Sequence, residues 1–200
     1  MNLLGMNNSI KTALFGGTFD PVHNGHIKIL ELFLKEFDYD KVFLVPAGNP
    51  YMKPIPPIAS GLQRYEMCKI AFRDYNKIEV INFEIERKSP SYTIDTLKFL
   101  AESRKEYKIE SIIVGLDAFN QLDMWKDGHK LKKNFHFFII DRDSSEKEGY
   151  PQNNLTYIPK ISQISSSKVR KKILSKQPIL NDTPIEIASY IEDNNLYRNG

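Results

Sequence analysis

Residues 12–26, TALFGGTFDPVHNGH, decide how this chain folds. TALFG (12–16) is a short apolar run of strand character that stops at Gly16 and Gly17. A helix follows from about Gly25 to Phe37, on which Ile27, Leu30, Leu34 and Phe37 share one stripe. A strand that passes through a glycine turn directly into a helix is the first half of a βαβ crossover. Two glycines allow a sharp turn and a close approach of backbone to a ligand. The free amides at the helix start, with the positive end of its dipole, favour an anion there.

The same alternation continues outward. KVFLVP (41–46) reads as a second strand, and prolines 46, 50, 54, 56 and 57 then make a rigid extended loop. Ser60 and Gln63 form a capping box that opens a helix to about Asp74. Strands are expected at 78–83, 110–115, 136–141 and 155–159. Helices are expected from Tyr92 or Thr93 to about Tyr107, over DAFNQL after Gly115, from Ser167 to Ser175, and from Pro184 to Asn194. Residues 142–154 read as a polar surface loop. The prediction is an α/β fold, a Rossmann-like doubly wound parallel sheet in a single domain over 1–200, with a short C-terminal helical tail over about 164–198. In such sheets ligands lie beyond the carboxyl ends of the strands, and every informative motif of this chain falls there.

Composition narrows the function. At 200 residues, with 41% hydrophobic and 26% charged residues, the chain has enough apolar material for one well-buried core. The lone Cys68 rules out an internal disulfide and a multi-cysteine zinc site, and points to a reducing, cytoplasmic setting. No apolar run approaches the ~20 residues of a membrane span, and MNLLGMNNSIKT lacks the features of a secretory signal. A net charge of +3 tolerates anionic ligands, but without a basic stripe or an aromatic-and-basic surface it does not suggest nucleic acid.

Four segments carry chemistry. His23 and His26 stand three residues apart at the helix start, so both rings can face one space. One can donate to a bridging phosphate oxygen while the other stabilises charge on a transferred phosphoryl group. Two surface histidines on a tight turn are the bland alternative, but only four histidines exist in the chain. In ISSSKVR (164–170), Ser165, Ser166 and Ser167 precede a helix and Arg170 follows one turn later, a second anion-binding arrangement. SYTIDTL (91–97) offers hydroxyls and amides at a third helix start. Gly115, Asp117 and Trp125 follow the fourth strand. Asp117 suits ribose hydroxyls or a helix cap, and Trp125 suits ring stacking or core packing. Arg142, after the fifth strand, is a further phosphate candidate. Cys68 reads as core.

GGTFDPVHNGH resembles the T/HxGH signature of the nucleotidyltransferases, in the form found in bacterial nicotinate-nucleotide adenylyltransferases. ERKSPSYTIDTL (86–97), GLDAF…W (115–125), ISSSKVR and YIEDNNLYR (190–198) agree in order, so the resemblance spans about Thr12 to Arg198. It implies transfer of the adenylyl group of ATP to nicotinate mononucleotide, with Mg²⁺ accompanying ATP and no protein-held metal. Its partners are thus ATP and a pyridine mononucleotide, with neither nucleic acid nor membrane, and a homo-oligomer is left open. His23, His26 and Arg170 take the catalytic positions. Gly16, Gly17, Thr18, Phe19, Ser165, Ser166, Ser167 and Arg142 take the ATP positions. Lys53, Tyr92, Thr93, Ile94, Gly115, Asp117 and Trp125 take the acceptor positions. The nicotinate carboxylate would lie near the amides around Thr93 and Ile94. The chain departs from the pattern at GNPYMKP: Met52 stands where histidine is expected, and Ala47 and Gly48 where asparagine is frequent. Preference for the amide mononucleotide, another adenylyl- or cytidylyltransferase of the superfamily such as a phosphopantetheine adenylyltransferase, and a silent nucleotide-binding module are the competing readings.

Overall fold

The computed structural model describes residues 9–141 and 154–198. Six parallel strands form one sheet: β1 (Ile10–Gly17), β2 (Lys41–Pro46), β3 (Ile78–Val80), β4 (Tyr107–Gly115), β5 (His136–Asp141) and β6 (Leu155–Pro159), in the order β3-β2-β1-β4-β5-β6. The order reverses between β1 and β4, so the chain crosses from one half of the sheet to the other above these two strands. That is where a doubly wound fold opens its ligand crevice.

Strand alternation sends neighbouring side chains to opposite faces. Ala13, Phe15, Val42, Leu44, Ile113 and Phe138 join one core, covered by α1 (Asn24–Glu36), α2 (Gly61–Phe72) and α7 (Ile185–Asp193). Leu14, Phe43, Val45, Ile112, Val114, Phe137 and Ile139 join the other, beneath α3 (Thr93–Ser103), α4 (Leu116–Asn120) and α5 (Gly128–Asn134). Strands buried on both faces read as the near-continuous apolar runs seen in the sequence. α6 (Ser166–Leu174) stands at the mouth of the crevice. Cys68 is buried in the first core, as its sequence neighbours predict.

The structure corrects four elements. The buried face of α1 centres on Ile27, Ile29, Leu30 and Phe33, while Leu34 and Phe37 are only half-buried. β3 stops at Val80 instead of Phe83. α3 ends at Ser103, because β4 begins early and pairs Tyr107–Ile109 with Ile10–Thr12 through a register shift at Thr12/Ala13. α5 is absent from the sequence reading. Its GHKLKKN fully buries only Gly128 and Leu131, too few positions to mark a helical period. The capping box forms as expected: Ser60 Oγ accepts Gln63 N–H at 3.2 Å and Gln63 Oε1 accepts Ser60 N–H at 2.9 Å.

Candidate active site

Two cavities open above the carboxyl ends of the strands, of about 980 and 430 Å³. The β1–α1 turn lies in the larger one. His23 is the N-cap of α1 and is 5% exposed. The His26 ring stacks on it, with centroids 3.7 Å apart and planes inclined by 21°. Phe19, at φ 50°, packs edge-on against His26 at 4.9 Å and against Phe15 at 5.5 Å. A Cβ on Gly17 would stand 2.7 Å from the Phe19 ring, so glycine there makes room for the ring that backs the histidine.

Burial and the Lys160 ammonium lower the His23 pKa to about 4, because a charged imidazole loses solvation in this wall. Burial, followed by the His23 and Lys160 charges, holds His26 well below the usual histidine range. These shifts keep both rings neutral at pH 7. His23 Nδ1 is buried with no hydrogen-bond partner among the described residues.

The larger cavity also collects Gly16, Thr18, Ser165, Ser166, Ser167 and Arg170. Ser165 caps α6 by accepting Lys168 N–H at 3.4 Å, and Ser166 Oγ donates to the Pro21 carbonyl at 2.9 Å. That second bond ties the start of α6 to the histidine turn. Arg170 Nη1 donates to the Asp20 carbonyl at 2.6 Å. The structure therefore brings both imidazoles and the distant arginine to one space. Arg142 lies outside the described residues.

The smaller cavity is walled by Lys53, Thr93, Gly115, Asp117 and Trp125, with Met52 beside them. Trp125 also packs against the second core, in keeping with its packing reading. Tyr92 and Ile94 line neither cavity. The Tyr92 ring packs 4.8 Å from that of Tyr51 and beneath the Lys126 ammonium, and Ile94 turns into the second core. Their place is behind the wall, because the first turn of α3 spends these side chains on packing. Asp117 does not cap α4: Gly115 is the N-cap, and Asp117 sits in the first helical turn on both cavity walls.

Sequence reading missed four supporting residues. Lys160 and Ser162 line the larger cavity next to the histidines. Glu84, 8% exposed on the smaller cavity's wall, accepts from Thr96 Oγ1 at 2.6 Å, and burial raises its pKa. Arg64, 1% exposed, donates to the carbonyls of Ala59, Thr18 and Gly48 at 3.2, 2.7 and 3.3 Å. Its position in the first turn of α2, a helix with no clear apolar stripe, gave no signal, since arginine there normally faces water.

This fold and this pairing of a histidine turn with a serine-arginine helix define a nucleotidyltransferase, and the chain belongs to the cytidylyltransferase-like family, whose model matches residues 14–172. Two of its relatives carry the same name. A protein of Desulfitobacterium hafniense (strain Y51) named "Probable nicotinate-nucleotide adenylyltransferase" is 34% identical over 94% of this chain and 96% of its own. One of the same name from Clostridium perfringens (strain SM101 / Type A) is 33% identical over 94% and 98%. Among solved structures, the Plasmodium falciparum nicotinic acid mononucleotide adenylyltransferase complexed with NaAD superposes with a TM-score of 0.74 at 25% identity, over 94% of this chain and 97% of that one. No helix among the described residues is long and apolar enough to cross a membrane.

Proposed function

We propose that the chain transfers the adenylyl group of ATP to nicotinate mononucleotide, giving nicotinate adenine dinucleotide and pyrophosphate, as a single unit over residues 1–200 in the cytoplasm. The observation that carries this reading is the wall the two cavities share. Gly16, Gly17, Thr18, Lys53, Pro54, Gly115 and Asp117 line both. Ligands on either side therefore meet above β1 and β4, next to the paired imidazoles.

The acceptor phosphate is its own nucleophile. One of its oxygens attacks the α-phosphorus in line, the new P–O bond forms, and the bond to the β-phosphate oxygen breaks with its electron pair leaving on pyrophosphate. No protein nucleophile is required. The obstacle is repulsion between two polyanions and charge growing on the α-phosphoryl oxygens, which positioning and fixed donors answer. The larger cavity takes ATP. The α1 amides and the two imidazoles face the α-phosphate. Ser165, Ser166, Ser167 and Arg170 hold the outer phosphates. Gly16, Gly17, Thr18 and Phe19 form the floor, and Arg142 stays a candidate for the phosphates. Lys53 meets the acceptor phosphate from the common wall. Asp117 accepts from ribose, and Trp125 stacks on the pyridine. The amides around Thr93 and Ile94, backed by Tyr92, receive the acceptor carboxylate.

Mg²⁺ arrives as part of the substrate and neutralises charge on the triphosphate. Among the described residues no three His, Cys, Asp or Glu side chains gather as a resident metal site, and the carboxylates on the larger cavity's wall are those of Asp20, Asp117 and Asp141.

The reading is tested by pyrophosphate release with Mg²⁺ and ATP, offering nicotinate mononucleotide, nicotinamide mononucleotide or phosphopantetheine, with the product identified by mass. The highest kcat/KM is expected with nicotinate mononucleotide. A preference for the amide would trace to Met52 on the acceptor wall, and turnover of phosphopantetheine alone would overturn the reading.

A further inference from the structure

Asp20 carries no role in the mechanism above, yet three separate segments of chain converge on it. Asp20 is 4% exposed. Oδ2 accepts Ile58 N–H at 2.9 Å and Oδ1 accepts Ala59 N–H at 3.1 Å, which fixes the end of the proline-rich loop. Oδ1 also accepts the Tyr197 hydroxyl at 2.8 Å, across 177 positions of sequence. Arg170 Nη1, bonded to the Asp20 carbonyl, lies 3.6 Å from Oδ2.

Tyr197 follows α7, where the chain turns back with φ 60° at this residue and buries the ring to 2% exposure. A phenol hydroxyl placed this deep costs free energy unless it is paired, and its pairing is to Asp20. Burial and the adjoining carboxylate drive the phenol's pKa upward, so it stays a donor throughout the physiological range.

We propose that Tyr197 is a positioning residue of the nucleotide cavity, acting through Asp20 to set where the Arg170 guanidinium stands. This rests on the larger cavity being the ATP site. The Asp20 carboxylate is compensated by two amides, one phenol, the Arg170 guanidinium at the edge of contact and the charge of the buried Arg64, which three backbone carbonyls hold in place. A buried charge that loses a donor recruits the nearest alternative. Without the hydroxyl that alternative is Arg170, 3.6 Å away, which closes onto the carboxylate and withdraws from the cavity. The end of the chain thereby controls affinity for the triphosphate without touching it.

The test is Tyr197→Phe in the full chain. KM for ATP is expected to rise roughly tenfold, the scale of a hydrogen bond to a charged group. The acceptor KM should stay within about threefold, and kcat should fall by less than the ATP KM rises. Tyr75→Phe, which deletes a hydroxyl donating to Glu31 at 2.6 Å away from both cavities, should move neither constant. In an Arg170→Ala background Tyr197→Phe should add nothing to the ATP KM. A variant that melts earlier with its ATP KM intact, or that keeps its full effect without Arg170, overturns the proposal. Should Tyr197→Phe not fold, the wild-type protein supplies the reading. A non-hydrolysable ATP analogue should slow amide exchange at 58–59 and 195–198 over the same concentration range, and exchange at 195–198 that ignores the analogue overturns the proposal. Wild-type protein that binds no ATP would instead remove the cavity's assignment, a separate result that takes the proposal with it.

Discussion

His26 Nδ1 accepts the backbone N–H of His23 at 3.2 Å while the two imidazoles lie stacked. In a neutral imidazole one nitrogen accepts and the other donates, so this bond assigns the proton of His26 to Nε2. The helix start therefore fixes the tautomer of His26 and leaves its Nε2–H as the donor.

His26→Ala should lower kcat by a factor on the order of 10²–10³, the usual loss for a donor aimed at developing negative charge. The Kd for ATP should change within about threefold, since the α1 amides, serines and Arg170 remain. Single-turnover kinetics alongside equilibrium ATP binding separates the two. Wild-type kcat in the variant would remove His26 from the reaction.

His23 couples the site to stability. Its folded pKa, about 4, lies below the ordinary 6.5, so the unfolded state binds more protons between those values. The contribution of the neutral buried ring is full above pH 6.5 and is lost as pH falls toward 4. Its size is about 3 kcal/mol at most, at about 1.4 kcal/mol per pH unit. His23→Asn should flatten this acid limb. The difference between wild-type and variant urea-unfolding free energies from pH 7 to 4 cancels the other carboxylates. Parallel curves would show that His23 is not the titrating group.

Much of this was legible in the sequence because the deciding residues act locally. The GGTFDPVHNGH turn lies between an apolar strand and an amphipathic helix, and Ser60–Gln63 or Ser165–Arg170 carry their own caps. β2 and β5 were readable to the residue, since strands buried on both faces are near-continuous apolar runs. The edge strand β6 was readable from its short β-rich run bounded by Pro159. Groups whose meaning depends on distant partners were not. Asp20 matters because of Ile58, Ala59, Tyr197 and Arg170, and Glu84 because of Thr96. Tyr92 and Ile94 share a motif with Thr93, but a helix turn points neighbouring side chains in different directions, and of the three only Thr93 lines the smaller cavity.

Arg64 ties the carbonyl of Thr18, on the wall shared by both cavities, to those of Gly48 and Ala59. Gly48 is itself confined, since a Cβ there would fall 1.8 Å from the Glu84 carbonyl oxygen. Arg64→Met keeps most of the buried volume but leaves these acceptors unpaired. Unfolding free energy should fall by about 3–5 kcal/mol, the range for removing one partner from a buried charged network. Chemical denaturation measures it. A loss below about 1 kcal/mol would mean that water replaces the guanidinium.

Trp125 is the chain's only tryptophan, so its fluorescence reports the smaller cavity alone. A pyridine ring stacked on the indole should quench that emission, whereas ATP in the larger cavity should leave it nearly unchanged. Titration with nicotinate mononucleotide should therefore give a saturable quench whose midpoint follows the acceptor Kd. Trp125→Ala should raise the acceptor KM by roughly tenfold, the scale of one aromatic stacking partner. Its kcat should fall less, because Lys53, the residue proposed to meet the phosphate, stays in place on the shared wall. Quenching by ATP with none by the mononucleotide would reverse the two cavities, and an unchanged acceptor KM in Trp125→Ala would return the indole to a packing role in the second core.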